Sequence, residues 1–180
     1  MEPFSAFLLG FQFSSFTPLS DVFTFVGPGH PLFHRKARLV ALKRVKGRLE
    51  IYPVDLSTPL KGTVYRHGHS PRTPNEFADW ILDPNRIPFC FPPNLAGPDI
   101  CFALLMDNNQ LLWVMGQTKY KRSGTGQAFC KEALAKTIPE NFLTERREVS
   151  VKRVRDLVST GCPFLTECHR ATGVRRGRKC

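Results

Sequence analysis

The sequence predicts an α/β domain in which a mixed sheet is flanked by helices, and three observations carry that expectation. Residues 100–116 hold two apolar runs, ICFALLM and QLLWVMG, separated by Asp107, Asn108 and Asn109. Runs that are apolar on both faces suit central strands, and the Asp/Asn cluster supplies a turn. Residues 38–54 read as a second strand pair, RLVALKRV and RLEIYPV, folded about Lys46 and Gly47. Helical patterns lie at 74–82, between the strand pairs, and near 126–137, after them.

Residues 1–36 are rich in Phe, Pro, Gly and Ser, with no sustained period. They are expected to form an irregular arm whose aromatics pack on the domain or on a partner. The opening MEPFSAFLLGFQFSSF has Glu2 where a signal peptide needs a positive charge. Gln12 and the serines also interrupt its apolar core, so a cleaved signal is not expected. In the 38–54 hairpin, Pro53 suits an edge position. Residues 57–73 read as loop. Thr73 or Asn75 caps a helix beginning near Pro74, and Asp83-Pro84 ends it. At roughly 100° per residue, Phe77, Trp80 and Ile81 share one apolar face, Glu76 borders it, and Asp79 points nearly opposite. Residues 87–95, IPFCFPPNL, carry too many prolines for a central strand and read as a short extended piece. The helix near 126–137 stops before Pro139. Beyond 145 the pattern is ambiguous, since EVSVKRVRDLV suits a strand or a helix.

A chain of 180 residues most simply makes one domain with room for a core. Its 42% apolar and 23% charged content is ordinary for a soluble protein. The net charge of +11 is not, and favours polyanions such as nucleic acid, or the surface of an acidic membrane. A basic surface without a specific partner is the alternative. Residues 146–180 contain ten Lys or Arg against three acids, so +7 of the charge sits there. The terminal GVRRGRKC reads as a solvated tail suited to phosphate contact or nuclear import, or as a passive one. Six cysteines show no CxxC pair and Cys101 lies inside an apolar run, as expected of buried thiols in a reduced, intracellular protein. No stretch nears the ~18 uninterrupted apolar residues of a membrane span, so no transmembrane span is expected, and nucleic acid rather than a membrane is the expected partner.

The polar residues around the 100–116 hairpin fall only at its outer ends. If the turn centres on Asn108, residues whose numbers sum to about 216 lie opposite one another, and directly paired residues share a side of the sheet. Asp99 then faces Gln117, and Lys119 is on the same side two residues further along. A one-residue slip would set Asp99 against Thr118 instead, so the expectation depends on the turn. The alternative is that these residues merely mark a solvent-facing strand end.

Pro98-Asp99, a strand hairpin, then Gln117-Thr118-Lys119 resembles the signature of the PD-(D/E)XK nuclease superfamily, the restriction-endonuclease-like fold. Gln in place of the usual acid is similar to the variant of Mrr-type members. The order of strand pair, helix and GPD…QTK is also similar to fungal restriction-endonuclease-like domains, some of which occur in Crinkler-type proteins. The resemblance covers roughly residues 38–143. It implies metal-dependent phosphodiester hydrolysis in DNA, with Mg²⁺ or Mn²⁺ as cofactor, because a hard cation supplies both charge stabilisation and an activated water. It further implies Asp99 as principal ligand, the Gln117 amide oxygen and Thr118 carbonyl as further ligands, and Glu76 as accessory acid. Lys119 would orient the attacking water and stabilise developing charge. Lys121 and Arg122 would contact phosphates near the scissile strand.

The sequence departs from the family twice. Gln117 removes a negative charge from the metal site, which leaves a catalytically inactive nucleic-acid-binding or effector module of the same fold as the alternative function. The segment after Pro139 does not clearly supply the strand that would complete the sheet. The expected division is therefore an arm (1–36), a nuclease-like core (37–144) and a basic C-terminal extension (145–180). Elsewhere, His67 and His69 lack acidic or Cys companions, and Cys162 and Cys168-His169 have the wrong spacing for zinc. Ser123-Gly-Thr-Gly126 lacks the full phosphate-loop pattern and reads as a connector, while Trp80 and Trp113 are assigned to the core.

Overall fold

Every residue of the apolar run Ile100–Met106 is buried, and the sheet is built outward from it. The computed structural model describes residues 2–23, 29–54, 68–93, 97–119, 135 and 164–170. Its elements are α1 (Glu2–Gln12), β1 (Thr17–Pro18), α2 (Leu19–Val22), β2 (Lys36–Val45), β3 (Arg48–Pro53) and β4 (Gly68–His69). They continue with α3 (Pro74–Leu82), β5 (Phe89–Cys90), β6 (Ile100–Met106), β7 (Leu111–Lys119) and β8 (Phe164–Arg170). The chain is thus α/β, with one mixed sheet that has eight strands among the described residues.

A strand has two edges, and β6 uses both. β7 runs antiparallel along one, from Ile100↔Gly116 to Leu105↔Leu111. The other edge is shared: β2 takes Ala103–Met106, and β5 takes Cys101 and Phe102. β1 and β3 pair antiparallel with β2, β4 runs parallel to β5, and β8 runs parallel to β7. At the β6–β7 turn, Asp107 accepts the Lys36 N–H (3.2 Å) and pairs with Arg35 (3.5 Å), tying the start of β2 to the hairpin.

Alternation along the strands sends side chains to two apolar layers. On one face α3 sets Phe77, Trp80 and Ile81 against Leu42, Cys101 and Met115. The rings of Trp80 and Trp113 meet edge to face at 5.7 Å, an arrangement that adds about 0.5–1.5 kcal/mol to simple burial. On the other face Ala6, Phe13 and Leu19 cover Leu39, Phe102 and Leu104. Helices therefore lie on both sides of the sheet.

Two expectations change. The segment 1–36 contains a helix, α1, where no period was legible. Ala6, Gly10 and Phe13 face inward at helical spacing, but Phe7 (65% exposed) and Phe11 (70%) are equally apolar on the outer face. A helix apolar all round shows no contrast from which a period is read. Secondly, Phe164–Arg170 joins the sheet, so a strand of the extension belongs with the core strands. The 38–54 hairpin, the 74–82 helix, the short 89–90 strand and the 100–119 hairpin follow the expected pattern. The expected helix at 126–137 lies outside the described residues except Ala135, which is helical, and residues 145–163 lie outside them altogether. Among the described residues no helix is long and apolar enough to cross a membrane.

Candidate functional site

The turn that decides the register is a three-residue loop, Asp107–Asn108–Asn109. Asn109 is left-handed (φ 62°), and its N–H bonds the Met106 carbonyl at 3.0 Å. A three-residue hairpin loop ending in a left-handed residue is a common type, and Asn tolerates that conformation. The Asn108 side chain accepts the Gln110 N–H (3.1 Å) and donates to the Gln110 side-chain oxygen (2.7 Å), fixing the loop further. Because the loop is odd in length and centred on Asn108, pairing follows the expected sum as far as Ile100↔Gly116.

The ladder ends there, one pair short of Asp99 and Gln117. Instead of continuing the pairing, the Asp99 N–H donates to the Gly116 carbonyl at 2.9 Å. This draws Asp99 against the Gly116–Gln117 peptide. Gly116 makes room for Ile100, its partner across the ladder: a Cβ on it would lie 2.9 Å from Ile100 Cγ2. Asp99 is half-buried, behind buried Pro98 and left-handed Gly97 (φ 98°).

Gln117 is 6% exposed, the one polar residue among the buried side chains of the described residues. It does not mark a solvent-facing strand end. Alternation from Trp113 and Met115 puts it on the α3 side of the sheet. Its Oε1 has no hydrogen-bond partner among the described residues. On the same side, the buried Trp80 indole Nε1 is likewise unpartnered. Buried acceptors left unpaired cost about 1–3 kcal/mol and call for an explanation in water, an ion or a ligand.

The other expected residues are placed as follows. Glu76 is exposed in the first turn of α3, where its carboxylate accepts the Arg72 N–H (2.7 Å). Its own N–H donates to Thr73 Oγ1 (3.2 Å), a reciprocal arrangement of the capping-box kind. The backbone of Thr118 and Lys119 pairs with His169 and Arg170 of β8. Lys121 and Arg122 lie outside the described residues. Asp99 and Gln117 are therefore brought together, and Glu76 is engaged in starting its helix.

Sequence reasoning missed that Gln117–Lys119, past the end of the β6 ladder, is still strand and is paired along one edge by β8, with Cys168 in register opposite Gln117. A signal was present: FLTECHR lies in a run of nine residues free of Pro and Gly, FLTECHRAT, bounded by Pro163 and Gly173. Of the cysteines, Cys90 and Cys101 oppose each other on β5 and β6, and burial pushes both thiols well above the ordinary range. Such thiols are inert packing groups rather than nucleophiles. Among the described residues no three His, Cys, Asp or Glu side chains gather as a metal cluster, so a cation beside Asp99 would depend on the Gln117 amide oxygen. No family model, curated protein or solved structure matches this chain.

Proposed function

We propose that the chain is a nuclease-like domain of the PD-(D/E)XK kind, hydrolysing phosphodiesters in DNA with the help of Mg²⁺ or Mn²⁺. The observation that carries this reading is Gln117 Oε1, a buried oxygen with no partner among the described residues, beside a peptide that bonds Asp99. An uncharged oxygen donor next to a carboxylate suits a hard divalent cation, which takes few protein ligands and keeps several waters. The strand β8, parallel to β7, supports the reading further, since a restriction-endonuclease-like sheet continues with another strand after the Gln-x-Lys strand.

Asp99, Gln117 and the Thr118 carbonyl are the residues that would hold the cation, with Glu76 as accessory carboxylate. The cation would supply charge stabilisation and an activated water. Lys119 would hold that water in line and stabilise charge developing on the phosphate oxygens. Lys121 and Arg122 would grip the neighbouring phosphates. The basic tail suits an intracellular, nuclear location.

One observation favours the alternative, an inactive nucleic-acid-binding or effector module. The Glu76 carboxylate is engaged by the Arg72 N–H at the start of α3, so it does not stand ready to join Asp99 at a cation. A plasmid-nicking assay with Mg²⁺ or Mn²⁺ separates the two. The nuclease reading expects nicking by the wild type that is lost in Asp99→Ala and Lys119→Ala while DNA binding is retained. Salt-sensitive binding without nicking in any of the three would leave the inactive module standing.

A further inference from the structure

The arm formed by β2 and β3 carries the densest described run of positive charge, and the topology sets it at the polar end of the sheet. β2 is antiparallel to β6, so it starts beside Met106 and runs toward the end where β6 begins at Ile100, next to Asp99. It pairs with β6 only through Ala37–Val40, after which β5 takes that edge of β6. From Ala41 onward β2 pairs only with β3, and the two strands form an arm closed by Lys46 and Gly47. Both turn residues are left-handed (φ 49° and 82°), as a two-residue turn between twisted strands requires.

One face of the arm is committed. Leu42 and Leu49 pack beneath α3, and Arg44 is used to hold the helix end, its Nε donating to the Leu82 carbonyl and its NH1 to the Gly47 carbonyl, each at 2.7 Å. The other face is open. Alternation groups Lys43, Arg48 and Tyr52 on it, with exposed Lys46 at the tip. Arg86 reaches the same face, its guanidinium carbon 3.8 Å from the Tyr52 ring centroid. The acid on that face is Glu50, which accepts the Tyr52 hydroxyl (2.6 Å).

We infer that this arm is a phosphate-gripping ribbon for duplex DNA, an inference that rests on the nucleic-acid reading above. A two-stranded ribbon fits the major groove of a duplex. Lys46 and Arg48 at its exposed tip would neutralise backbone phosphates, while Arg86, stacked on Tyr52, presents a planar donor edge suited to them. The arm and the Asp99–Gln117 cluster share one end of the sheet, with the arm's open face turned away from the α3 side that holds Gln117. A duplex lying across that end would meet the arm on one flank and the cluster on the other.

The test is the salt dependence of duplex binding by the full chain, measured by fluorescence anisotropy for the wild type, Lys46→Asn/Arg48→Gln and Lys36→Gln. Asn tolerates the left-handed turn position and Gln keeps the length of the strand residue, so the double variant should fold; its thermal melt checks this. Each phosphate contact contributes about 0.9 to the slope of log affinity against log salt, so the double variant should flatten the slope by about 2. Lys36→Gln, exposed at the opposite end of β2 from the tip, should leave it unchanged. A wild-type slope retained in the folded double variant overturns the inference and leaves the nucleic-acid reading intact. Absence of wild-type duplex binding overturns both, as does binding of the arm to anionic phospholipid vesicles with no affinity for duplex.

Discussion

Gln117→Glu tests the candidate site without any need for activity. The substitution introduces the carboxylate that the proposed nuclease reading would put at this position, where the native side chain is 6% exposed. If the two side chains converge as proposed, the introduced carboxylate meets that of Asp99 as a like charge, and at the ~6 Å outer reach of such pairs like charges repel by about 3 kcal/mol at an effective dielectric of ~20. In EDTA the variant should therefore lose about 3 kcal/mol, part of it escaped by the introduced acid retaining its proton. For a chain of this size each kcal/mol moves the melting temperature by about 2–4 °C, which predicts a drop of roughly 6–12 °C. A divalent cation reverses the sign, because two carboxylates then share a counter-charge and binding stabilises the folded state by mass action. The assay is thermal unfolding of wild type, Gln117→Glu and Gln117→Met, each in EDTA and in excess Mg²⁺. Gln117→Met removes the orphan oxygen, so it should be neutral or slightly stabilising in EDTA and insensitive to Mg²⁺. The reasoning fails if Gln117→Glu melts equally low with and without Mg²⁺, since the cluster then holds no cation.

Two further outcomes follow from local structure. Thr73→Ala removes the side-chain cap of α3 and should cost about 1 kcal/mol, read as a fall of the denaturation midpoint, whereas exposed Asp79→Ala should stay within about 0.5 kcal/mol. Equal effects would mean that the Thr73 hydroxyl does not stabilise the helix start. Burial raises the Cys90 and Cys101 thiols, so the folded state keeps protons that the unfolded chain releases above about pH 8.5. The unfolded state then binds fewer protons, and stability falls as pH rises past that point, by up to about 2–3 kcal/mol per pH unit for the two thiols together. Chemical denaturation between about pH 8 and pH 10 should show a steeper loss in the wild type than in Cys90→Ala/Cys101→Ala, and identical slopes would refute the assignment.

The parts of the fold that were legible are those where residue type and environment agree. Phe77, Trp80 and Ile81 alternate with polar residues at helical spacing, Thr73 stands at the cap position, and the structure buries those three apolar residues. The 100–116 hairpin was legible because its turn chemistry and its apolar runs point to the same register. α1 was hidden by the opposite circumstance, as its outward Phe7, Leu8 and Phe11 erase the contrast that marks a helix. β8 was hidden by distance: its pairing with β7 joins residues separated by about fifty positions, and no local rule states which run closes a parallel crossover.

The candidate site was legible only by half, and the reason bears on its chemistry. Sequence spacing alone set Asp99 near Gln117, because a hairpin's register follows from its turn. It could not tell whether Gln117 was a solvated strand end or a buried donor, since that depends on β8 and α3 closing over it. The structure makes it buried and leaves its oxygen without a partner among the described residues, although Trp80, a hydrogen-bond donor, lies buried on the same side of the sheet with its N–H also unpartnered among them. Two such atoms on one face cost more than an apolar pair would, and the packing of α3 against β7 does not need them. A Met and a Phe would fill comparable space without an unmet hydrogen bond. The two atoms call for different partners: the Trp80 N–H can only donate and would be met by a water or another acceptor, whereas the Gln117 oxygen is the atom that, on the reading proposed above, would take a cation beside Asp99.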